Sequence, residues 1–238
     1  MLFNPKQPGF YNPNMLGPGL LDNYAVSVYD AYDRMKFRAD ADLATKSITF
    51  FRTALGQSYV PLNDAAVNLT KDVADTNWDL TGQTQYGYVF EGISFSLGTL
   101  AGKTGTVGGA DGVDNWPNTA NLIAQESAYE LFVNDTSMDR GKLLHAPAAG
   151  GLSGFAAVGV LAAGTAATMV VTGNGTAHAS NYKSYAQAPL WVPVNQRVKV
   201  TLTFGQAALA ASMTYKPAVS SIFIECRLIG RRVAMVGA

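Results

Sequence analysis

The sequence predicts a mainly β protein, folded as an antiparallel jelly-roll sandwich with an N-terminal arm and one short amphipathic helix. Three observations lead to this prediction. After residue 40, apolar residues recur at every second position, which is the period of a strand with one buried face. Glycine, proline, asparagine and aspartate interrupt these stretches as turn residues do. A clear helical spacing of apolar residues occurs once, near the N-terminus.

The first 20 residues form the predicted arm. They are rich in proline, glycine and asparagine, and they show neither the helical nor the strand period. A segment of this kind cannot stay folded alone, so we expect it to lie along a neighbouring molecule. Its aromatic residues Phe3, Phe10 and Tyr11 are the expected anchors.

The predicted helix covers about residues 21–37. Five apolar residues lie at alternating spacings of four and three: Leu21, Ala25, Val28, Tyr32 and Met35. Such spacing places them on one face of a helix. Asp22 or Asn23 stands where a helix N-cap is expected. We assign the arm and this helix to residues 1–40.

Residues 41–238 form the predicted sandwich. Alternation is clearest over 93–97, 128–133, 198–204 and 222–228, and it is typical of antiparallel strands with one buried face. One helix followed by eight or more such strands favours a sandwich or a jelly roll.

Charge is scarce and unevenly distributed along the chain. Charged residues make up 14% of the sequence, against about 25% in typical domains. Residues 1–139 hold sixteen acidic and eight basic residues, a net charge of −8, while 140–238 hold one acidic and nine basic residues, +8. A molecule polarised in this way favours contact between copies or with an anionic partner. In the alternative, the two halves interleave and the asymmetry disappears in space.

A glycine-rich stretch around residues 98–112 resembles a phosphate-binding loop, with Gly-Lys-Thr at 102–104. Leu97 occupies the position of the first glycine of that motif, and the residues after Thr104 cannot begin a helix. Without a helix N-terminus no phosphate is held there. We therefore expect Lys103 to contact solvent or a neighbouring subunit and to bind no nucleotide.

Other catalytic and metal-binding motifs are not found in the sequence. His145 and His178 lack the spacing of a metal site, and Cys226 alternates with apolar residues, which predicts a small buried side chain. We expect no enzymatic activity, no metal and no cofactor. A weak Ca²⁺ site at Asp111 and Asp114 stays open, because turn chemistry explains these residues equally well. The sequence contains no run of about 18 apolar residues, so we expect no transmembrane helix.

Basic residues near the C-terminus suggest one further contact. Arg197, Lys199, Arg231 and Arg232 are candidates for touching an anionic group. No aromatic residues interleave with them for base stacking, so sequence-specific nucleic-acid binding is not expected.

Four phrases, in this order, resemble the major capsid proteins of small icosahedral phages with an internal membrane. They are "DTNWDLTGQTQYGYVFEGISFSLG" (75–98), "ELFVNDTSMDRGKLLHAPAAGGLSG" (130–154), "APLWVPVNQRVKVTLTFG" (188–205) and "SSIFIECRLIGRRVAM" (220–235). The resemblance spans about residues 45–236. It implies a jelly-roll fold and a structural protein that self-assembles into a virion shell. Because the resembled family often stacks two jelly rolls per chain, the alternative to a single roll is two compact jelly rolls, over about 41–135 and 136–238.

The same resemblance implies the partners. They are copies of the chain itself, as a trimer or pseudo-hexamer, together with other capsid proteins and an internal membrane. The alternative function is a carbohydrate-binding or hydrolytic β-sandwich, such as a phage spike, since one fold hosts many functions. An exposed aromatic platform built from Trp78, Trp116 or Trp191 would favour that alternative.

Overall fold

The computed structural model describes residues 6–12, 24–38, 43–79, 85–99, 123–146, 182–205 and 222–235. Residues 123–126 form a short helix, and Leu143–His145 form a 3-10 turn. The strands are β1 (Gly9–Phe10), β2 (Tyr24–Val28), β3 (Ala31–Phe37), β4 (Ser47–Phe50), β5 (Ser58–Tyr59), β6 (Leu69–Thr70), β7 (Gly87–Thr99), β8 (Ser127–Val133), β9 (Thr136–Lys142), β10 (Lys183–Ser184), β11 (Leu190–Val192), β12 (Val198–Phe204) and β13 (Ile222–Met235). The predicted mainly β fold is confirmed.

These strands form two main sheets and one small hairpin. The larger sheet has the order β1-β11-β7-β13-β2, with β10 also paired to β7 and β3 also paired to β13. The smaller sheet has the order β4-β12-β8-β9, and β5 pairs with β6. Every ladder between these strands is antiparallel, as predicted.

Strand pairing is nested around the hairpin of β8 and β9. Its two-residue turn includes Asn134 with φ of 54°, a conformation that asparagine tolerates better than most residues. Moving outward along the chain, β7 pairs with β10 and β11, β4 pairs with β12, and β3 pairs with β13. The chain therefore follows the path of one long hairpin, and the strand pairs of this hairpin are divided between the two sheets.

Because of this nesting, both sheets combine strands from the two oppositely charged halves of the chain. Three ion pairs join an acid of the first half to a base of the second: Glu91–Arg231 at 2.8 Å, Asp135–Lys199 at 3.3 Å and Asp139–Lys183 at 2.6 Å. Among the described residues, the charge asymmetry of the sequence is therefore partly cancelled in space.

Side chains from the inner faces of both sheets meet in one core. Val198, Val200, Leu202 and Phe204 of β12 are buried, as are Ile222, Ile224, Cys226 and Leu228 of β13. This confirms the alternation predicted for both segments, including a buried Cys226. Aromatic contacts cross between the sheets, with ring centroids 5.5 Å apart for Phe37 and Phe204 and 5.1 Å apart for Phe95 and Tyr129. Burying each such side chain stabilises the fold by about 1.5–3 kcal/mol.

The helix predicted over 21–37 is wrong, because residues 24–28 and 31–37 are the strands β2 and β3. Within β3 the buried residues are Ala31, Asp33 and Phe37, which follow a period of two. Because Asp33 is polar, the alternation of apolar residues alone does not reveal this period. Its buried partner, Lys71, lies in a distant part of the chain, so tertiary contacts override the helical spacing.

The described part of the arm lies along its own chain. Gly9 and Phe10 pair with Trp191 and Leu190 of β11, and the Tyr11 N–H donates to the carbonyl of Pro189 at 3.1 Å. Tyr11 is buried, and the ring of Phe10 meets the ring of Tyr185 edge-on, with centroids 5.2 Å apart. Phe3 lies outside the described residues.

Candidate functional site

The outer face of the smaller sheet carries an open groove of about 450 Å³. Its floor follows from strand alternation, because residues 129, 131 and 133 of β8 point into the core and their neighbours point outward. The side chains that define the groove are Glu130, Phe132, Arg140, Lys142, Lys199 and Thr201. Register places Arg140 and Thr201 on either side of Glu130, and Lys199 beside Phe132.

Positive charge predominates in this groove. The ammonium of Lys199 lies 4.8 Å from the centroid of the Phe132 ring and 3.3 Å from the carboxylate of Asp135. Asp135 is 99% exposed, so water screens that ion pair strongly. Neither Arg140 nor Lys142 has an acidic partner within ion-pair distance in the described ranges. The groove is therefore electrostatically suited to a carboxylate or phosphate group.

The four basic residues selected from the sequence do not form one patch. Lys199 belongs to β12 of the smaller sheet and Arg197 directly precedes that strand, whereas Arg231 and Arg232 belong to β13 of the larger sheet. Arg231 pairs with Glu91, and Arg232 donates to the hydroxyl of Ser27 at 2.9 Å. Only Lys199 of the four lines the groove.

Sequence reasoning missed Arg140 and Lys142 at the groove. Both residues lie on β9, which begins at Thr136 and ends at Lys142. Placing the strand after the Asn134-Asp135 turn would have set Arg140 and Lys142 on one face, because residues two apart share a face.

A second polar cluster surrounds Asp139, where an edge of each main sheet comes together. Lys183 donates to its two carboxylate oxygens at 2.6 and 2.8 Å, Tyr185 donates at 2.5 Å and Tyr129 at 2.8 Å. Burial alone would raise the pKa of Asp139, but these hydrogen bonds outweigh it and hold the pKa below its usual value. Burial, followed by the bond to Asp139, raises the pKa of both tyrosines. The cluster is fully hydrogen-bonded, so it fastens the sheets together.

A third cluster is the buried pair of Asp33 and Lys71, whose side chains are both 0% exposed. The ammonium of Lys71 lies 2.7 Å from Oδ1 of Asp33, also donates to the carbonyl of Arg34, and stands 4.7 Å from the centroid of the Tyr59 ring. Oδ2 of Asp33 accepts the N–H of Phe51 at 2.7 Å. Neither residue was predicted as a site from the sequence, in which the available signal is an acidic residue at an inward position of a strand.

The remaining residues named from the sequence contribute no site among the described residues. Cys226 is buried, and burial raises the pKa of its thiol well above the usual value. His145 ends the 3-10 turn. Lys103, Asp111, Asp114 and His178 lie outside the described ranges.

Neither a metal site nor a membrane-spanning helix is found among the described residues. No three His, Cys, Asp or Glu side chains converge there to hold a metal ion. No helix in the same ranges has both the length and the apolar character required to cross a membrane. Comparison with known proteins found no matching family model, no matching curated protein and no matching solved structure.

Proposed function

We propose that the protein is a structural subunit that assembles with copies of itself into a virion shell. The observation that carries the proposal is the nested strand order. Eight strands, β3, β4, β7, β8, β9, β11, β12 and β13, pair as first with last, second with seventh, third with sixth and fourth with fifth. This division of one long hairpin between two sheets supports a single jelly roll, a fold of viral capsid proteins.

The nesting also favours one roll over two. Two rolls divided near residue 135 would each build sheets from their own half of the chain. Here β13 pairs with both β3 and β7, and β12 pairs with both β4 and β8. A single roll with long connections fits this pairing better.

An exposed edge strand supports self-assembly. Strand β2 is the outer strand of the larger sheet in the described chain, and its residues 25–28 are all exposed. Val26 is 43% exposed and Val28 is 86% exposed. Unpaired edge strands with apolar side chains readily add a strand from another chain, so β2 is the proposed contact between copies. The basic groove is the proposed contact to an anionic surface, such as a neighbouring subunit or an internal membrane.

Burial of tryptophan weighs against the carbohydrate-binding alternative. A sugar platform needs exposed aromatic rings, but Trp78 is fully buried and Trp191 is 5% exposed. Trp116 lies outside the described residues. No observation on the described surface specifically favours glycan binding.

The decisive experiment measures the mass of the full-length protein by light scattering and images it by electron microscopy. We expect trimers or larger shells. Val28→Lys, on β2, should shift the protein toward monomers, because a charge on the edge strand opposes strand addition. Val73→Lys is the matched control, since Val73 is 73% exposed but lies off β2. A wild-type protein that stays monomeric and binds glycans would refute the proposal.

A further inference from the structure

The buried pair of Asp33 and Lys71 lies where a long segment closes over the edge of β3. The Arg34 N–H donates to the carbonyl of Asp75 at 2.7 Å, and the Arg38 N–H donates to the carbonyl of Leu62 at 3.1 Å. These bonds hold residues 62–75 along the strand, with Lys71 between the two anchor points. The side chains of Lys71 and Asp33 therefore meet inside the protein, away from water.

Each polar atom of the pair already has the partner that an amide would need. Oδ2 of Asp33 accepts the Phe51 N–H, as an amide oxygen would. Nζ of Lys71 donates to the carbonyl of Arg34, as an amide N–H would. In the third contact, Nζ donates to Oδ1 at 2.7 Å. A condensation of the two side chains would release Oδ1 as water and so remove this contact. Because Oδ1 is bonded to Cγ, the distance from Nζ to Cγ exceeds this 2.7 Å by at most one carbon–oxygen bond length.

We propose that Lys71 and Asp33 condense to form an intramolecular isopeptide bond. The Nζ lone pair attacks Cγ, the Nζ–Cγ bond forms, and the Cγ–Oδ1 bond breaks. Oδ1 leaves as water, taking two protons from the lysine ammonium, and the amide nitrogen keeps the third. The condensation requires no oxidant, metal or cofactor.

The surroundings favour each step of the condensation. A proton passes along the hydrogen bond from Nζ to Oδ1, giving the neutral amine and acid that react. Burial raises the pKa of Asp33 and lowers the pKa of Lys71, toward these neutral forms, although mutual attraction and hydrogen bonds oppose both shifts. The Phe51 N–H stabilises the negative charge that develops on Oδ2. The product replaces two buried charges by one hydrogen-bonded neutral group, which lowers the cost of desolvation.

A nearby ion pair provides an internal comparison. Lys36 and Asp75 are 3.1 Å apart, but the side chain of Lys36 is 19% exposed, so water hydrates its charge. We expect no bond between these two residues. The proposed cross-link would tie β3 covalently to the segment that covers it.

The test is the intact mass of the full-length protein under denaturing conditions. We expect a mass lower by one water than the sequence requires, and a proteolytic digest with a branched peptide joining residues 33 and 71. Lys71→Met should restore the full mass, whereas Lys36→Met should keep the deficit. Cyclisation at Asp111-Gly112 also loses water, but mild alkali reverses it and leaves an isopeptide bond intact.

A full mass together with unbranched peptides containing residues 33 and 71 would overturn the proposal. So would a deficit that mild alkali removes. Both results come from the wild-type protein, so they stand even if Lys71→Met fails to fold. They are also independent of self-assembly, because a monomeric protein can still carry the cross-link.

Discussion

Asp139 joins the two sheets along one edge, and Asp139→Asn removes its charge while keeping its size. The carboxylate accepts hydrogen bonds from Lys183, Tyr129 and Tyr185, and its side chain is only 15% exposed. A hydrogen bond to a charged group contributes about 1.5–3 kcal/mol, against about 0.5–1.5 kcal/mol for a neutral one. Weakening three bonds by about 1 kcal/mol each lowers the free energy of unfolding by about 3 kcal/mol.

Urea unfolding followed by circular dichroism measures this loss, and thermal unfolding should show a fall in Tm of roughly 6–12 °C. Asp135→Asn is the matched control. Asp135 also pairs with a lysine, but it is almost fully exposed, so its replacement should leave stability unchanged. If both variants unfold at the same urea concentration as the wild type, the cluster around Asp139 does not fasten the sheets.

The same cluster predicts how stability depends on pH. The pKa of Asp139 is lower in the folded chain than in the unfolded chain, so its contribution is fully present above about pH 4. That contribution is lost as the pH falls through the lower, folded pKa. The stability difference between wild type and Asp139→Asn should therefore be constant near neutral pH and shrink in acid. A difference that grows on acidification would contradict the assignment.

Three further substitutions test packing. Gly230→Ala places a methyl group against the carbonyl oxygen of Val89, so we expect it to lower the free energy of unfolding by about 1–3 kcal/mol. Gly9→Ala is the control, because its methyl group makes only ordinary contacts, and it should leave urea unfolding unchanged. Tyr11→Ala removes a buried ring at the β1–β11 edge and should cost about 2 kcal/mol without abolishing folding; an unchanged stability would show that the arm does not dock on its own chain.

Local patterns account for the parts of the fold that were predicted correctly. In β12 and β13 each side chain points opposite to its neighbour, so the sequence alone reveals which residues face the core. The same reasoning identified Cys226 as buried. Over residues 21–37 the apolar pattern is misleading, because the buried position 33 of β3 is occupied by the polar residue Asp33.

The candidate sites depend on contacts between distant residues. Asp33 and Lys71 are 38 positions apart, and Asp139 and Lys183 are 44 positions apart. The basic groove combines residues of β8, β9 and β12, and it includes only one of the four cations chosen from the sequence. No local pattern indicates which charges meet.

The sequence was sufficient for the strand content, the antiparallel class and the buried faces, because side-chain direction alternates within each strand. Only the tertiary structure decided the sheet order, the nested pairing and the partner of each charge. Two strands meet because they bury a shared face, and that depends on every other strand in the sandwich. The meeting of Lys71 with Asp33, and of Lys183 with Asp139, follows from that arrangement.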